Sequence, residues 1–64
     1  MKIAEAAEKI NATRNADGAY TYHDDATNQD YTCTESQIEQ LGDYIERHGL
    51  GDGYSLWCSE VASF

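Results

Sequence analysis

Thr34-Glu35-Ser36-Gln37-Ile38-Glu39-Gln40-Leu41-Gly42-Asp43-Tyr44-Ile45-Glu46-Arg47-His48-Gly49 is the stretch from which the rest of this 64-residue chain is read. Thr34 and Gln37 have the spacing of a capping box, in which the threonine hydroxyl accepts from the Gln37 amide and the glutamine side chain reaches back. Ile38, Leu41, Ile45 and His48 then recur as a narrow stripe at i, i+3, i+7 and i+10. That period belongs to an amphipathic helix. Glu35 lies at the positive end of the helix dipole, and Arg47 and His48 at the negative end, as electrostatics prefer. Gly49 offers a left-handed stop, after which Leu50 can fold back on the last turn. The spacing predicts a helix over residues 35–48.

On the N-terminal side, Tyr31-Thr32-Cys33 and Ala19-Tyr20-Thr21-Tyr22-His23 are rich in β-formers and alternate, as strands do. The polar run over residues 24–30 between them predicts an antiparallel hairpin with an acidic tip. Asn15-Ala16-Asp17-Gly18 reads as a turn, with Gly18 free to take positive φ. Ile3, Ala6, Ala7 and Ile10 form a second helical stripe, and Glu5–Lys9 is a favourable i, i+4 pair, so a helix is expected over residues 3–13. On the C-terminal side, Gly51-Asp52-Gly53 reads as a turn and Tyr54-Ser55-Leu56-Trp57-Cys58 as a third strand. Residues 59–64 read as its continuation or as a helical turn capped by Ser59. The expected fold is therefore α+β in the order α-β-β-α-β. It is a single domain over residues 1–64, with a three-stranded antiparallel sheet and two helices packed on one face. The 19–23 strand is expected at the centre, and the helix between the second and third strands makes a right-handed crossover.

Leu, Ile, Val and Phe supply only nine of the 64 residues, which with a net charge of −8 is a composition bordering on disorder. Five Tyr and Trp57 offset this, because each large aromatic buries about 150–250 Å². The composition predicts a folded domain of small stability margin. No apolar run approaches the ~18 residues of a membrane span, and no basic-then-apolar segment opens the chain as a secretory leader would. A cytoplasmic protein (bacterial host cytoplasm) is expected, with no membrane partner and no direct contact with nucleic acid, whose phosphates would repel this surface.

Several residue sets invite a chemical reading. Cys33 and Cys58 are 25 positions apart. In a reducing compartment they read as small apolar core residues, with a Cys33–Cys58 bridge as the alternative. His23, Cys33, His48 and Cys58 lack the close ligand pairs of a structural zinc site. Asp24, Asn28, Asp30 and Glu35 fall at calcium-loop positions, but Gln29 stands where the loop requires glycine. Gly49-Leu50-Gly51-Asp52-Gly53 follows a helix and precedes a strand, the reverse of a phosphate cradle. A domain this small has little volume for a desolvated catalytic pocket. No cofactor, no metal and no enzymatic activity are expected.

Charge placement is the strongest functional signal. Glu35, Glu39 and Asp43 follow i, i+4, i+8, with Glu46 one step further round, so successive acids lie ~6 Å apart along the helix axis. That resembles the phosphate spacing of a nucleic-acid strand. Like charges at this spacing cost a helix about 0.2–0.5 kcal/mol per pair, and only Arg47 offers relief, through Asp43. Asp24, Asp25 and Asp30 of the hairpin extend the field. Tyr44, beside this stripe, is the expected aromatic contact. The competing reading is a solvated face that only promotes solubility.

Glu5-Ala6-Ala7-Glu8 in a first helix, Asp17-Gly18 leading into Tyr20 and Tyr22, Asp24-Asp25 at a hairpin and Gly42-Asp43-Tyr44 in a second acidic helix carry a resemblance. Over about residues 4–47 the chain resembles small acidic phage anti-CRISPR proteins, nucleic-acid-mimicking inhibitors of type I CRISPR effector complexes. The resemblance leaves the expected third strand unmatched and implies function rather than fold. It implies a monomeric, stoichiometric inhibitor whose partner is an effector subunit with a Lys/Arg-rich nucleic-acid groove. The partner-binding residues would then be Glu35, Glu39, Asp43, Glu46, Asp24, Asp25, Asp30 and Tyr44. The alternative is a small regulatory module, an antitoxin or phage accessory factor, that binds through Tyr and Trp rather than charge.

Overall fold

The computed structural model describes residues 1–62. It is an α+β fold, with a three-stranded antiparallel sheet and helices packed against it. The elements are α1 (Ile3–Lys9), β1 (Thr13–Arg14), β2 (Tyr20–Asp24), β3 (Gln29–Cys33), α2 (Glu35–His48) and α3 (Leu50–Trp57). A π-helical turn, Cys58–Ala62, follows α3. Of the two readings of residues 59–64, the helical turn and not the strand forms over 59–62, with Ser59 Oγ donating to the Ser55 carbonyl instead of capping the turn; Ser63 and Phe64 lie outside the described residues.

α2 has the expected bounds, and both halves of its capping box form. The Gln37 amide donates to Thr34 Oγ1 at 3.2 Å and the Thr34 amide to Gln37 Oε1 at 2.8 Å. Ile38, Leu41 and Ile45 are buried, while His48, the last position of the stripe, is exposed. α1 stops four residues earlier than its period suggested. Asn11 takes φ 55°, the Asn11 amide donates to the Glu8 carbonyl and the Ala12 amide to the Ala7 carbonyl. This is a Schellman end with asparagine in the left-handed position.

The chain released by that end makes the third strand. Thr13 and Arg14 pair antiparallel with Thr21 and Tyr20, and the 15–18 turn forms as expected, with Gly18 at φ 91°. Ala19 is tied to Asp17 Oδ1 at 3.0 Å. β2 is the central strand, as expected, but its neighbours are β1 and β3 in chain order, so the sheet contains no crossover. In β2 and β3, Tyr20 opposes Cys33 and Tyr22 opposes Tyr31 on the covered face. His23 opposes Asp30 on the open face. Asp24 and Asp30 belong to the strands, which shortens the hairpin tip to residues 25–28.

The expected strand over residues 54–58 is helix instead. Tyr54, Trp57, Cys58 and Val61 recur at i, i+3, i+4 and i+7, and this helical period overrides the β-preference of the aromatic residues. Gly49, at φ 87°, ends α2 and lets the chain enter α3 after a single residue. Leu50 therefore does not fold back on α2 and is 50% exposed. Gly53 sits inside α3, not in a turn, because the two helices touch there. A Cβ at Gly53 would lie 2.7 Å from the Tyr44 carbonyl oxygen and 2.8 Å from the Ile45 backbone. Trp57 is fully buried, its ring centroid 5.8 Å from that of Tyr22, and its indole N–H donates to the Gln37 carbonyl at 2.8 Å.

The two α3 glycines make a paired test of this packing. Gly53→Ala should cost about 1–3 kcal/mol of stability, because the added methyl forces the helices apart. At Gly51 no atom lies within 4 Å of a built Cβ, so Gly51→Ala should be neutral or stabilise by up to about 1 kcal/mol. Urea unfolding midpoints of the two variants check both signs.

Candidate acidic interface

At 100° per residue, Glu35, Glu39, Asp43 and Glu46 fall within an arc of about 80° on α2. All four are exposed, and they border the buried stripe of Ile38, Leu41, Gly42 and Ile45. They form one ridge about 16 Å long. α1 runs alongside it. Gly42 makes room for this, because a Cβ there would sit 3.3 Å from Met1 Cβ and 3.5 Å from Ala6 Cβ.

The ridge is neutralised at one end only. The Met1 ammonium pairs with Glu46. Its pKa is raised first by that hydrogen bond, and further by Asp43 and Glu5 nearby. Among the described residues, Glu35, Glu39 and Asp43 have no base within ion-pair distance, and the expected Arg47–Asp43 pair is not made. Tyr44 is not beside the acids. It follows Asp43 by 100°, which places it on the opposite flank of the buried stripe, and its ring lies 6.1 Å from that of His48. Adjacency to Asp43 in sequence does not bring the tyrosine to the ridge, because one residue is 100° of helical rotation.

The hairpin acids divide between two faces. His23 Nδ1 lies 2.8 Å from Asp30 Oδ1 and Nε2 lies 3.8 Å from Asp25 Oδ1, on the open face of the sheet. Asp24 shares the covered face with Tyr22 and accepts from the Ala26 amide at 2.9 Å. So Asp25 and Asp30 stand on the side of the sheet away from the helices, and the structure does not merge them with the α2 ridge.

The remaining chemical groups are quiet. Both cysteines are free. Burial pushes the Cys33 thiol up to about 11, and burial also raises Cys58. Neither supplies a thiolate at neutral pH. Among the described residues no group of three or more His, Cys, Asp or Glu side chains could hold a metal ion. Trp57 is wholly inside, so among the described residues an aromatic contact with a partner comes from tyrosine. A cleft of about 310 Å³ opens between β2 and the start of α3, lined by Tyr22, Asp24, Leu50 and Tyr54 among others. Sequence reading missed it because a strand over residues 54–58 would not have built it. The period of Tyr54, Trp57, Cys58 and Val61 was the signal that could have found it.

His23 gives a titration test. Its pKa is raised above 6.5 chiefly by the hydrogen bond to Asp30, with further help from the Asp30 and Asp25 charges. The pairing contributes stability that is fully present below the ordinary histidine pKa of about 6.5 and is lost as pH rises through the folded-state value. An NMR titration of the imidazole should show the upward shift, and Asp30→Asn should return it toward the ordinary value. Among the described residues no helix is long and apolar enough to cross a membrane. Comparison with protein-family models, curated proteins and solved structures finds no match, so the functional reading rests on this geometry.

Proposed function

We propose that the protein is a stoichiometric inhibitor of the anti-CRISPR type, with no catalytic activity. Its α2 ridge occupies the Lys/Arg-rich nucleic-acid groove of a partner, a type I CRISPR effector subunit in the host cytoplasm, and so excludes the nucleic acid. The observation that carries this reading is the run of Glu35, Glu39 and Asp43, exposed on one side of one helix and without an ion-pair partner among the described residues. A surface evolved only for solubility gains nothing from concentrating unpaired acids along one line, where each i, i+4 pair costs helix stability. A basic groove recovers that cost, because each carboxylate meets a cation and association is steered by the net charge of −8.

The reading assigns the primary contact to Glu35, Glu39 and Asp43. Glu46 contributes less while the Met1 ammonium holds it. Asp25 and Asp30 lie on the open sheet face and make a separate, weaker contact or none. The test is a competition assay in which a purified type I effector binds its target DNA. The wild-type chain should displace the DNA at a one-to-one ratio. Glu39→Lys with Asp43→Lys should raise the concentration needed by roughly 100-fold, because two attractive contacts become repulsive, with the circular dichroism spectrum unchanged. Equal inhibition by the double variant would remove the ridge as the site.

A further inference from the structure

The cleft between β2 and α3 is built from different materials than the ridge. Strand alternation places Tyr20, Tyr22 and Asp24 in one row on the covered face of the sheet. Asp24 is half-buried at the end of that row. One of its oxygens accepts from the Ala26 amide, and among the described residues the carboxylate has no ion-pair partner. Tyr54 meets Tyr22 nearly edge-on, at 83° with centroids 6.4 Å apart; Tyr22 is buried, so the half-buried Tyr54 supplies the open ring face. Tyr22, Asp24 and Tyr54 line the same cleft, so the carboxylate stands beside this tyrosine pair, and its charge adds to burial in raising the Tyr54 and Cys58 pKa values. Leu50, the exposed large hydrophobic among the described residues, and Ile10 supply aliphatic wall.

We propose that this cleft receives one arginine side chain from the basic partner. The match is one of chemistry. The aliphatic stem of arginine lies against Leu50 and Ile10. Its flat guanidinium covers a tyrosine face and reaches the open oxygen of Asp24, combining stacking with a charge-assisted hydrogen bond. Lysine, a compact point charge, cannot cover the ring. An anion is repelled by Asp24, and a neutral apolar ligand would bury the Asp24 carboxylate unpaired. Two bases also line the cleft. His23 is engaged by Asp30 and Asp25 on the other face. Lys9 is exposed and has no ion pair among the described residues, so it leaves Asp24 open and acts on an arriving arginine only as a like charge at the rim. The inference deepens the proposed function, since it rests on a basic partner, and gives that partner a specific anchor in addition to its charge.

The test titrates the wild-type chain, observed by amide NMR, with acetyl-Gly-Arg-Gly-amide and with the same peptide carrying citrulline, which keeps the shape and removes the charge. Saturable shifts centred on Tyr22, Asp24, Gly51 and Tyr54 are expected with arginine, and at least about tenfold weaker binding with citrulline. Asp24→Asn should weaken the arginine peptide about tenfold, and Lys9→Gln should strengthen it about twofold. Equal shifts with both peptides, or shifts confined to α2, would overturn the inference without any variant being needed. Glu39→Lys with Asp43→Lys should leave the cleft shifts in place. If that variant keeps the shifts and still inhibits the effector, the ridge reading fails and the cleft stands. If the wild type inhibits through the ridge but shows no cleft shifts, the cleft fails alone.

Discussion

Trp57 is the side chain on which the packing of this small domain turns. It comes from the last turn of α3, fills the space against Tyr22 of the central strand, and donates its one N–H to the first turn of α2 through the Gln37 carbonyl. A single buried residue thus holds two helices and the sheet in one arrangement. It can do so only because Gly53 lets α3 touch the backbone of α2 at Tyr44 and Ile45. With few aliphatic residues, the core is finished by tyrosines and by small residues such as Ala6 and Ala7. That leaves little margin, and the surface chemistry has to be understood against it.

The legible parts of the fold were those specified by local rules. The α2 helix, with its capping box and glycine stop, appears with the bounds its sequence implies, and the 15–18 turn and the antiparallel pairing of the two hairpin strands also form. The illegible parts were decided by alternatives of similar local merit. Asn11 ended α1 in a position where Ala12 and Thr13 would have allowed the helix to continue, and the freed chain became an edge strand too short to show a period. Tyr54 to Cys58 carries strand-forming residues on a helical spacing, and burial of Trp57 decided in favour of the spacing. At the candidate interface, the α2 acids were legible because one helix positions all of them. The hairpin acids were not, because strand alternation sends Asp24 to one face and Asp30 to the other, and Tyr44 was misplaced for the analogous rotational reason.

The charge of the molecule is accordingly organised rather than uniform. Among the described residues, a ridge on α2 carries three carboxylates without ion-pair partners and a fourth paired with the Met1 ammonium. A histidine ties down Asp25 and Asp30 on the open sheet face. Asp24 stands at the end of an aromatic row in a cleft. Unspecific attraction by the ridge and a shaped contact in the cleft would divide the work of recognition between encounter and fit.

The central claim is that the ridge acts as a polyanion toward a basic groove. The most direct measurement is the dissociation constant of the complex with the effector across a series of salt concentrations. The account predicts a steep, linear weakening in a plot of log Kd against log salt, because ions held by the groove are released when the carboxylates bind. A Kd that stays flat from low to physiological ionic strength would contradict it.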